Sequence, residues 1–524
     1  MKSERRAFLR SAGVVSAITF LSRVLGVIRD AVIGARLGAG KISDIFNIAF
    51  ELSNLLRRIF GEGSLSAFIV PLFLREQKEK GADASWRFAS NALTAFTLVT
   101  VVLTLAGMFG ASAIFAFFGG SSYLAAGDAQ AMALGVTLTR IMFPFLIFLA
   151  LAALMMGFCH AHRHFTMPAF GSVVLNLTMI LGSIAAWKYQ GEAFAKILAW
   201  MVLLGVLLRV AILVPPLMRR GFRYHPVLDT QDPALRELFK MLLPAIYGVG
   251  IAQINISVSL NFSTWMGPGA ATCLRFSSRL MQFPQALVAT ALSTVLLPLL
   301  SRYLLEEKWN DLRSTMNFSF RLLLLLFLPA TIGMMALATP IVTFLFERGN
   351  WDAQASATTA HVLHFYAIGL LPYSVIGILT PLYYARRDML TPVKAGAVGM
   401  VANILCAAIA FYLLRDTLGP AGLALASSIA AAINALLLFR WLRLPGRAIW
   451  DKGLSAITAK TAAASLLMGT VAWGTARLLG FVIPFEGTLR RGATVALAIA
   501  AGIASYYIFC VVLRVSEIHR ARDI

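Results

Sequence analysis

Long apolar segments occupy most of this chain and are separated by short loops that carry most of its charges. A helix needs about 20 largely apolar residues to cross the hydrocarbon core of a bilayer. Only 13% of the residues are charged, against about 25% in soluble domains. We therefore expect an all-α polytopic membrane protein with about 14 transmembrane helices. The predicted spans are 11–36, 42–73, 88–118, 130–158, 166–187, 194–217, 238–264, 270–301, 315–345, 356–384, 392–414, 418–440, 455–476 and 490–513.

Lysine and arginine are distributed unequally between alternate loops. The set of loops that includes both termini carries 27 of them, and the other set carries 8. Cytoplasmic loops of membrane proteins collect these residues, so we predict a multi-pass protein with both termini in the cytoplasm. The net charge of +22 is explained by this bias, and we expect no nucleic acid as a partner.

Short motifs recur in the same order in the two halves of the chain, at separations of 224 to 229 residues. The matched segments are 38–40 with 267–269, 71–75 with 298–302, and 161–163 with 385–387. This pattern predicts two pseudo-symmetric six-helix lobes around a central cleft, plus two extra C-terminal helices. The predicted divisions are an N-lobe at 1–217, a cytoplasmic linker loop at 218–237, a C-lobe at 238–445, and the last two spans with a cytoplasmic tail at 446–524.

The first two predicted spans carry charges that a lipid-facing helix would not tolerate. A charged side chain near the bilayer centre costs roughly 2.5–3.5 kcal/mol on insertion scales. Asp44, Glu51 and Arg58 are spaced seven residues apart and so share one helix face. Arg23 and Asp30 have the same spacing. The pattern predicts helices that line an aqueous cavity, and the alternative is internal ion pairing of Arg23 with Asp30 and of Glu51 with Arg58.

The eighth predicted span also has a polar face. Thr272, Arg275 and Arg279 fall on one side of the helix, and Ser278 adjoins them. The segment 238–305 contains no Asp or Glu. A planar guanidinium matches the oxygens of a phosphate in a bidentate geometry, so this excess of arginine favours a ligand that carries phosphate.

Features that would indicate an enzyme or a metal protein are weak. His361 and His364 are one helical turn apart but have no nearby acid or cysteine. We see no phosphate-binding glycine-rich loop and no acidic cluster for catalysis, and we predict a transporter with no cofactor and no metal. The four cysteines form no metal-binding or disulfide spacing; they are Cys159, Cys273, Cys406 and Cys510.

Several motifs stand in order along the whole chain. They are 22–26 with Arg29-Asp30, Asp44, 54–60 with Glu62-Gly63, 279–281 with Phe283-Pro284, 346–349, and 383–385 through Thr391-Pro392. Together they resemble the MurJ (MviN) family of bacterial lipid II flippases. That family belongs to the multidrug/oligosaccharidyl-lipid/polysaccharide exporter (MOP) superfamily.

The resemblance implies transport of undecaprenyl-pyrophosphate-linked disaccharide-pentapeptide from the inner to the outer leaflet, by alternating access, for peptidoglycan synthesis. It points to Arg57 as a cavity residue, whereas helical spacing favours Arg58. We keep both. The candidate substrate-binding residues are Ser22, Arg23, Arg29, Asp30, Asp44, Glu51, Arg57, Arg58, Thr272, Arg275, Ser278 and Arg279.

The resemblance also implies a location and partners. We expect the bacterial cytoplasmic (inner) membrane, lipid II and membrane lipids as ligands, and contact with the peptidoglycan synthesis machinery in cell wall biogenesis and cell shape. The alternative function is a multidrug or other lipid-linked oligosaccharide exporter of the same fold. A cation exporter requires acids and aromatics in its cleft, and the excess of arginine disfavours it.

Overall fold

The structure, a computed structural model, describes residues 2–61, 64–442, 452–482, 487–515 and 517. Within these ranges the backbone but not the side chains is described for 2–12, 53, 55–61, 64, 66–67, 243–256, 286–295, 452 and 482. Throughout these ranges the regular elements are helices, and no strand occurs. The chain divides into two compact units, Met1–Thr272 and Cys273–Ile524.

The first unit is built from helices that continue one another through short loops. A π-helical segment, Ala116–Gly120, links the fifth helix to the sixth. The helices are α1 Lys2–Leu37, α2 Lys41–Gly61, α3 Ser64–Lys80, α4 Ala82–Phe109, α5 Ala111–Phe115, α6 Ser121–Ala125, α7 Ala129–Met142, α8 Phe145–Ala161, α9 Thr166–Ala185, α10 Gly191–Ala211, α11 Val214–Met218 and α12 Pro233–Trp265.

The second unit begins within the first turn of a long helix, α13. Two prolines, Pro284 and Pro298, lie inside this helix. The helices are α13 Ala270–Leu305, α14 Trp309–Ala336, α15 Ala338–Phe346, α16 Ala353–Ala385, α17 Leu390–Leu413, α18 Arg415–Leu418, α19 Ala421–Trp441, α20 Lys452–Val482 and α21 Thr488–Val512.

Ten helical segments among the described residues are long and apolar enough to cross a membrane, by length and composition. The four other predicted spans also fall on helices: α1, α2 with α3, α12 and α13. The expectation of an all-α membrane protein is confirmed for the part of the chain that the structure describes. The total of fourteen spans stays a prediction.

Two buried apolar clusters hold the first unit together. One contains Phe46, Phe115 and Phe194 and joins α2, α5, α7 and α10. The other contains Phe73 and Phe158 and joins α3, α4, α8 and α12. Helices in a membrane are held together by van der Waals packing rather than by transfer from water, so these interlocked aromatic side chains give α1, α2 and α9 a firmly packed scaffold.

The matched segments 161–163 and 385–387 end their helices in the same way. Arg163 and Arg387 adopt left-handed backbone conformations, with φ of 58° and 59°. The next amide then donates to a carbonyl five residues back, His164 to Cys159 at 2.9 Å and Asp388 to Tyr383 at 3.0 Å. This is a Schellman ending. The chain also uses it at Glu307 and Arg514, so it agrees with the repeat without being unique to it.

Candidate functional site

A buried polar cluster lies where α1 packs against α9. The Arg29 guanidinium donates from Nε and Nη2 to Oδ1 of Asp30, at 2.9 and 2.5 Å. Its Nη1 donates to Oδ1 of Asn176 on α9, at 3.0 Å. The amide of Asn176 in turn donates to the carbonyl and hydroxyl oxygens of Ser22, at 2.9 and 3.3 Å. Ser22, Arg29 and Asp30, all predicted from sequence, are thereby brought together through one asparagine.

The charged and polar side chains of this cluster are almost completely buried. Arg29 and Asp30 are each 4% exposed, and Asn176 is 7% exposed. The Arg29 guanidinium carbon also lies 5.5 Å from the centre of the Phe50 ring on α2, a cation–π contact. Because a buried charge is tolerated only when it is paired and hydrogen-bonded, these contacts fix the orientation of Arg29. Arg23, on the same helix, is half-buried.

Asn176 is a residue that sequence reasoning missed as part of the site. It lies in a largely apolar predicted span, 166–187. In the sequence its only distinguishing feature is that the matched span of the second half, 392–414, also contains an asparagine, Asn403. A buried asparagine in a membrane helix needs hydrogen-bond partners inside the protein. This need for partners was the only sequence signal that Asn176 belongs to a polar site. It does not indicate that the partners are Arg29 and Ser22.

Asp44 lies in the first turn of α2 and is completely buried. Its Oδ2 accepts from the amide of Gly269 at 2.6 Å, and its Oδ1 accepts from the amide and hydroxyl of Thr272, at 2.8 and 2.6 Å. Asn47 adds a hydrogen bond to the Thr272 hydroxyl at 3.0 Å. Two predicted site residues, Asp44 and Thr272, therefore meet each other. The carboxylate satisfies amide groups at the N-terminus of α13, where a negative charge is favoured.

The rest of the polar face of α2 is described only in part. Glu51 is half-buried and accepts from Asn54 at 3.4 Å, one helical turn further along. The side chains of Arg57 and Arg58 lie outside the described residues. The choice between Arg57 and Arg58 therefore stays as the sequence left it.

In the second unit, α13 places Arg275, Ser278 and Arg279 in half-buried positions. The Ser278 hydroxyl donates to the Arg275 carbonyl at 2.9 Å, which is a bond within the helix.

The neighbouring residues anchor α13. Phe276 stacks on Trp351 with ring centres 4.9 Å apart. The hydroxyl of Ser277 donates to the Thr359 carbonyl on α16 at 2.7 Å. The arginines thus extend from a helix that is fixed on its buried side.

Comparison with known proteins gives a consistent family. Residues 33–485 match the model of the family described as Lipid II flippase MurJ. A lipid II flippase MurJ of Burkholderia cenocepacia is 33% identical over 443 residues, which cover 83% of this chain and 84% of the relative. A probable lipid II flippase MurJ of Vibrio cholerae is 32% identical over 520 residues, which cover 97% of each.

Solved structures show the same fold. One titled "Lipid II flippase MurJ, inward closed conformation" aligns with a TM-score of 0.76 at 24% identity, covering 95% of this chain and 98% of that one. An inward-facing multidrug resistance MATE family transporter of the MOP superfamily aligns with a TM-score of 0.65 at 12% identity, covering 82% of this chain and 97% of that one. At these identities the likeness shows the fold alone.

Proposed function

The chain belongs to the lipid II flippase MurJ family, and we propose that it is itself a lipid II flippase. It moves the undecaprenyl-pyrophosphate-linked peptidoglycan precursor from the inner to the outer leaflet of the bacterial cytoplasmic membrane. The observation that carries this function is the family match over residues 33–485, together with relatives at 32–33% identity. It is a transporter and not an enzyme. It delivers the precursor that the enzymes of cell wall synthesis use.

Electrostatics supports an anionic head group as the cargo. The candidate site contains Arg23, Arg29, Arg275 and Arg279 against Asp30, Asp44 and Glu51, and Arg57 or Arg58 adds to the excess. Hydrogen bonds to charged groups contribute roughly 1.5–3 kcal/mol each. Two or three arginines therefore suffice to draw a pyrophosphate out of the interface.

The same arginines have different parts in this proposal. Arg29 is immobilised by Asp30 and Asn176, so its part is to hold the buried polar cluster of α1 and α9 in place. Arg23, Arg275 and Arg279, which are half-buried, have side-chain surface that can reach a ligand. Ser22 and Ser278 provide hydroxyl donors beside them.

Transport follows from alternating access, in which two halves of the protein open to each side of the membrane in turn. The proposed divisions are 1–217, the loop 218–237, 238–445 and 446–524. Matching helix endings at Arg163 and Arg387 support the repeat behind this division. The boundary between the two compact units falls between Thr272 and Cys273, so α12 belongs to the first unit.

Topology can be tested separately. Both termini and the loop 218–237 are proposed to be cytoplasmic, and the residues 121 and 350 are proposed to face outside. Single cysteines at 80 and 228 should resist thiol reagents that do not cross the membrane, whereas single cysteines at 121 and 350 should react with them. Labelling of 228 from outside would reverse the second half and contradict the proposed arrangement.

The decisive experiment is depletion of the protein in its bacterium. Lipid II reaching the outer leaflet should fall, and lipid II should accumulate on the inner leaflet, before cell shape changes. If lipid II distribution stays normal while efflux of organic cations drops, the lipid II function is wrong and the protein is a multidrug exporter of the same fold. Accumulation of another lipid-linked oligosaccharide would identify that precursor as the cargo. Contact with the peptidoglycan synthesis machinery is also proposed, and crosslinking in intact cells tests it.

A further inference from the structure

A cavity of about 550 Å³, with both polar and apolar lining, lies at one end of α15, α20 and α21, within the second unit. At the opposite end of the same helix pair, Nζ of Lys460 on α20 donates to the carbonyl of Arg514, just past α21, at 3.0 Å. The cavity therefore faces away from the end that carries the C-terminus. The lining residues that matter are Thr339, Thr343, Gly480, Arg490, Arg491 and Thr494, and none of them belongs to the proposed lipid II site.

Arg491 is held in place beside this cavity. Its Nη1 donates to the Glu347 carbonyl at 2.9 Å, and its Nη2 donates to the Glu347 carboxylate at 2.8 Å. A guanidinium has five N–H donors, so this anchoring leaves donors for a ligand. The pairing sets the direction of the side chain and reduces the entropy lost when a ligand binds.

The charge around the cavity is positive. Glu347 offsets one of the three arginines Arg348, Arg490 and Arg491. Burial, and then the nearby Arg491 guanidinium, lower the pKa of Arg348 from its ordinary value. A lowered pKa of one arginine beside another is expected where the local electrostatic potential is positive, because a second positive charge is then disfavoured. Such a potential attracts anions.

Thr494 adds a hydroxyl group to the cavity. The residue is 8% exposed and lines the cavity beside Arg490 and Arg491. Because a hydroxyl can donate a hydrogen bond, a group with acceptor oxygens in the cavity could contact Thr494 as well as the two arginines.

Large exposed apolar side chains lie next in sequence, or nearly so, to the cavity-lining residues Gly480 and Arg490. Leu478, Phe481 and Leu489 are 66%, 86% and 79% exposed. They stand at the ends of two membrane-spanning helices, α20 and α21, where hydrocarbon and interface are the natural surroundings. A ligand with a small anionic head and apolar chains fits both the cavity and its border.

We propose that this cavity binds the phosphate of an anionic phospholipid, with Arg490, Arg491 and Thr494 as the binding side chains. Guanidinium groups pair with phosphate oxygens in a bidentate geometry, and basic pockets between membrane helices suit lipid head groups. The volume accommodates a head group, whereas a disaccharide-pentapeptide needs far more room. The site is therefore a second lipid site, separate from the transport path.

The test uses the full-length protein purified in detergent, with phosphatidylglycerol and phosphatidylcholine as lipid probes. Native mass spectrometry should show phosphatidylglycerol retained in preference to phosphatidylcholine. Arg490→Ala should weaken phosphatidylglycerol binding at least about tenfold, because it removes charged hydrogen bonds. Inorganic phosphate and glycerol 1-phosphate, at equal concentration, should compete poorly because they lack acyl chains.

A second variant blocks the cavity without changing its charge, so that loss of binding can be assigned to the cavity itself. A side chain added at Gly480 would meet no atom within 4 Å of its Cβ, so Gly480→Trp should fill the cavity without disturbing the helix packing. Gly474, on the same helix, is equally open and does not line the cavity, so Gly474→Trp is the matched control. Arg477→Ala is the matched charge control, because Arg477 stacks on Trp473 at 5.0 Å at the same end of α20.

The outcomes are distinct. Selective loss of phosphatidylglycerol in Arg490→Ala and Gly480→Trp, with both controls unchanged, supports the proposal. Equal loss in the controls, or wild-type binding in all four variants, overturns it. Competition by inorganic phosphate as strong as by the lipid would assign the cavity to a soluble anion. Equal retention of phosphatidylcholine and phosphatidylglycerol would show that the cavity binds lipid through apolar contacts alone and does not select an anionic head group.

Discussion

The two units present arginine in opposite ways. In the first unit, Arg29 is 4% exposed, and each of its three guanidinium nitrogens donates a hydrogen bond to Asp30 or Asn176. In the second unit, Arg275 and Arg279 are half-buried on α13 and so are more exposed than Arg29. One arginine is therefore part of the internal structure, and the other two retain surface for a ligand.

This difference separates stability from function. A buried ion pair pays a large desolvation cost and depends on both partners, so losing either one should unfold the region. A half-buried arginine on an anchored helix contributes little to folding, and its loss should appear in transport. The variants below test this separation, beginning with the largest expected effect.

Arg29→Ala should destabilise the protein most. Removing it leaves Asp30 and Asn176 buried with fewer partners, and breaking a buried pair costs about 3–5 kcal/mol. We expect a marked fall in the melting temperature of the purified protein and in its membrane abundance. Thermal unfolding in detergent and quantitative immunoblotting of membranes measure the two effects.

A double variant checks the cause. Arg29→Met with Asp30→Leu replaces the pair by apolar groups of similar volume, which is often neutral for stability. It should recover most of the lost melting temperature while transport stays defective. If Arg29→Ala alone melts like wild type, the contrast between the two units is wrong.

Arg279→Ala should have the opposite profile. Folding and abundance should stay near wild type, whereas lipid II reaching the outer leaflet should fall roughly tenfold or more, because charged hydrogen bonds contribute about 1.5–3 kcal/mol. Arg279→Lys should recover only part of the transport, since it keeps the charge and loses the planar fork. Normal flipping in Arg279→Ala would remove this residue from the site, and loss through degradation would make it structural.

Asp44→Asn should have an intermediate effect on stability. Both carboxylate oxygens accept hydrogen bonds from the start of α13, and an amide would turn its own N–H groups towards one of those donors. We expect a loss of about 1–3 kcal/mol, measured as a lower melting temperature. Asp128→Asn is the matched control, because Asp128 also accepts from a helix amide, that of Ala131 at 3.0 Å, but is more exposed. It should melt closer to wild type.

Sequence reasoning predicted the helices because apolar length and hydrophobic periodicity are local properties. Ten helical segments in the described part of the chain are long and apolar enough to cross a membrane, and the other four predicted spans also contain helix. The family resemblance is confirmed by relatives along the chain. The charged face of α1 was also identifiable, since helical spacing relates residues on one helix. These features needed no knowledge of tertiary contacts.

Contacts between helices were beyond that reasoning. Asn176 is 147 positions from Arg29, and no spacing rule joins residues on different helices. Asp44 was placed on a cavity-lining face with Glu51, whereas the structure buries it completely against the start of α13. Periodicity identifies a face but not what covers it. Contact of Asp44 with substrate stays a prediction.

The smallest expected effect comes from an arginine that is paired and exposed. Arg302, in the last turn of α13, donates to Glu306 at 2.7 Å, and Lys308 lies 2.6 Å from the same carboxylate. Hydrogen bonds from Lys308 and then Arg302 lower the pKa of Glu306 to about 2. A lowered pKa means that any stabilisation is present above the ordinary value of 4.5 and is lost as the pH falls towards 2.

Glu306→Gln should therefore leave the melting temperature and lipid II flipping unchanged between pH 6 and 8, because solvent screens exposed ion pairs. Any small difference from wild type should shrink as the pH falls from 4.5 towards 2, since the unfolded chain binds a proton at Glu306 before the folded chain does. Melting curves across this pH range at low and high salt provide the measurement. A loss as large as that of Arg29→Ala would mean that pairing, rather than burial, decides how strongly an arginine supports the fold.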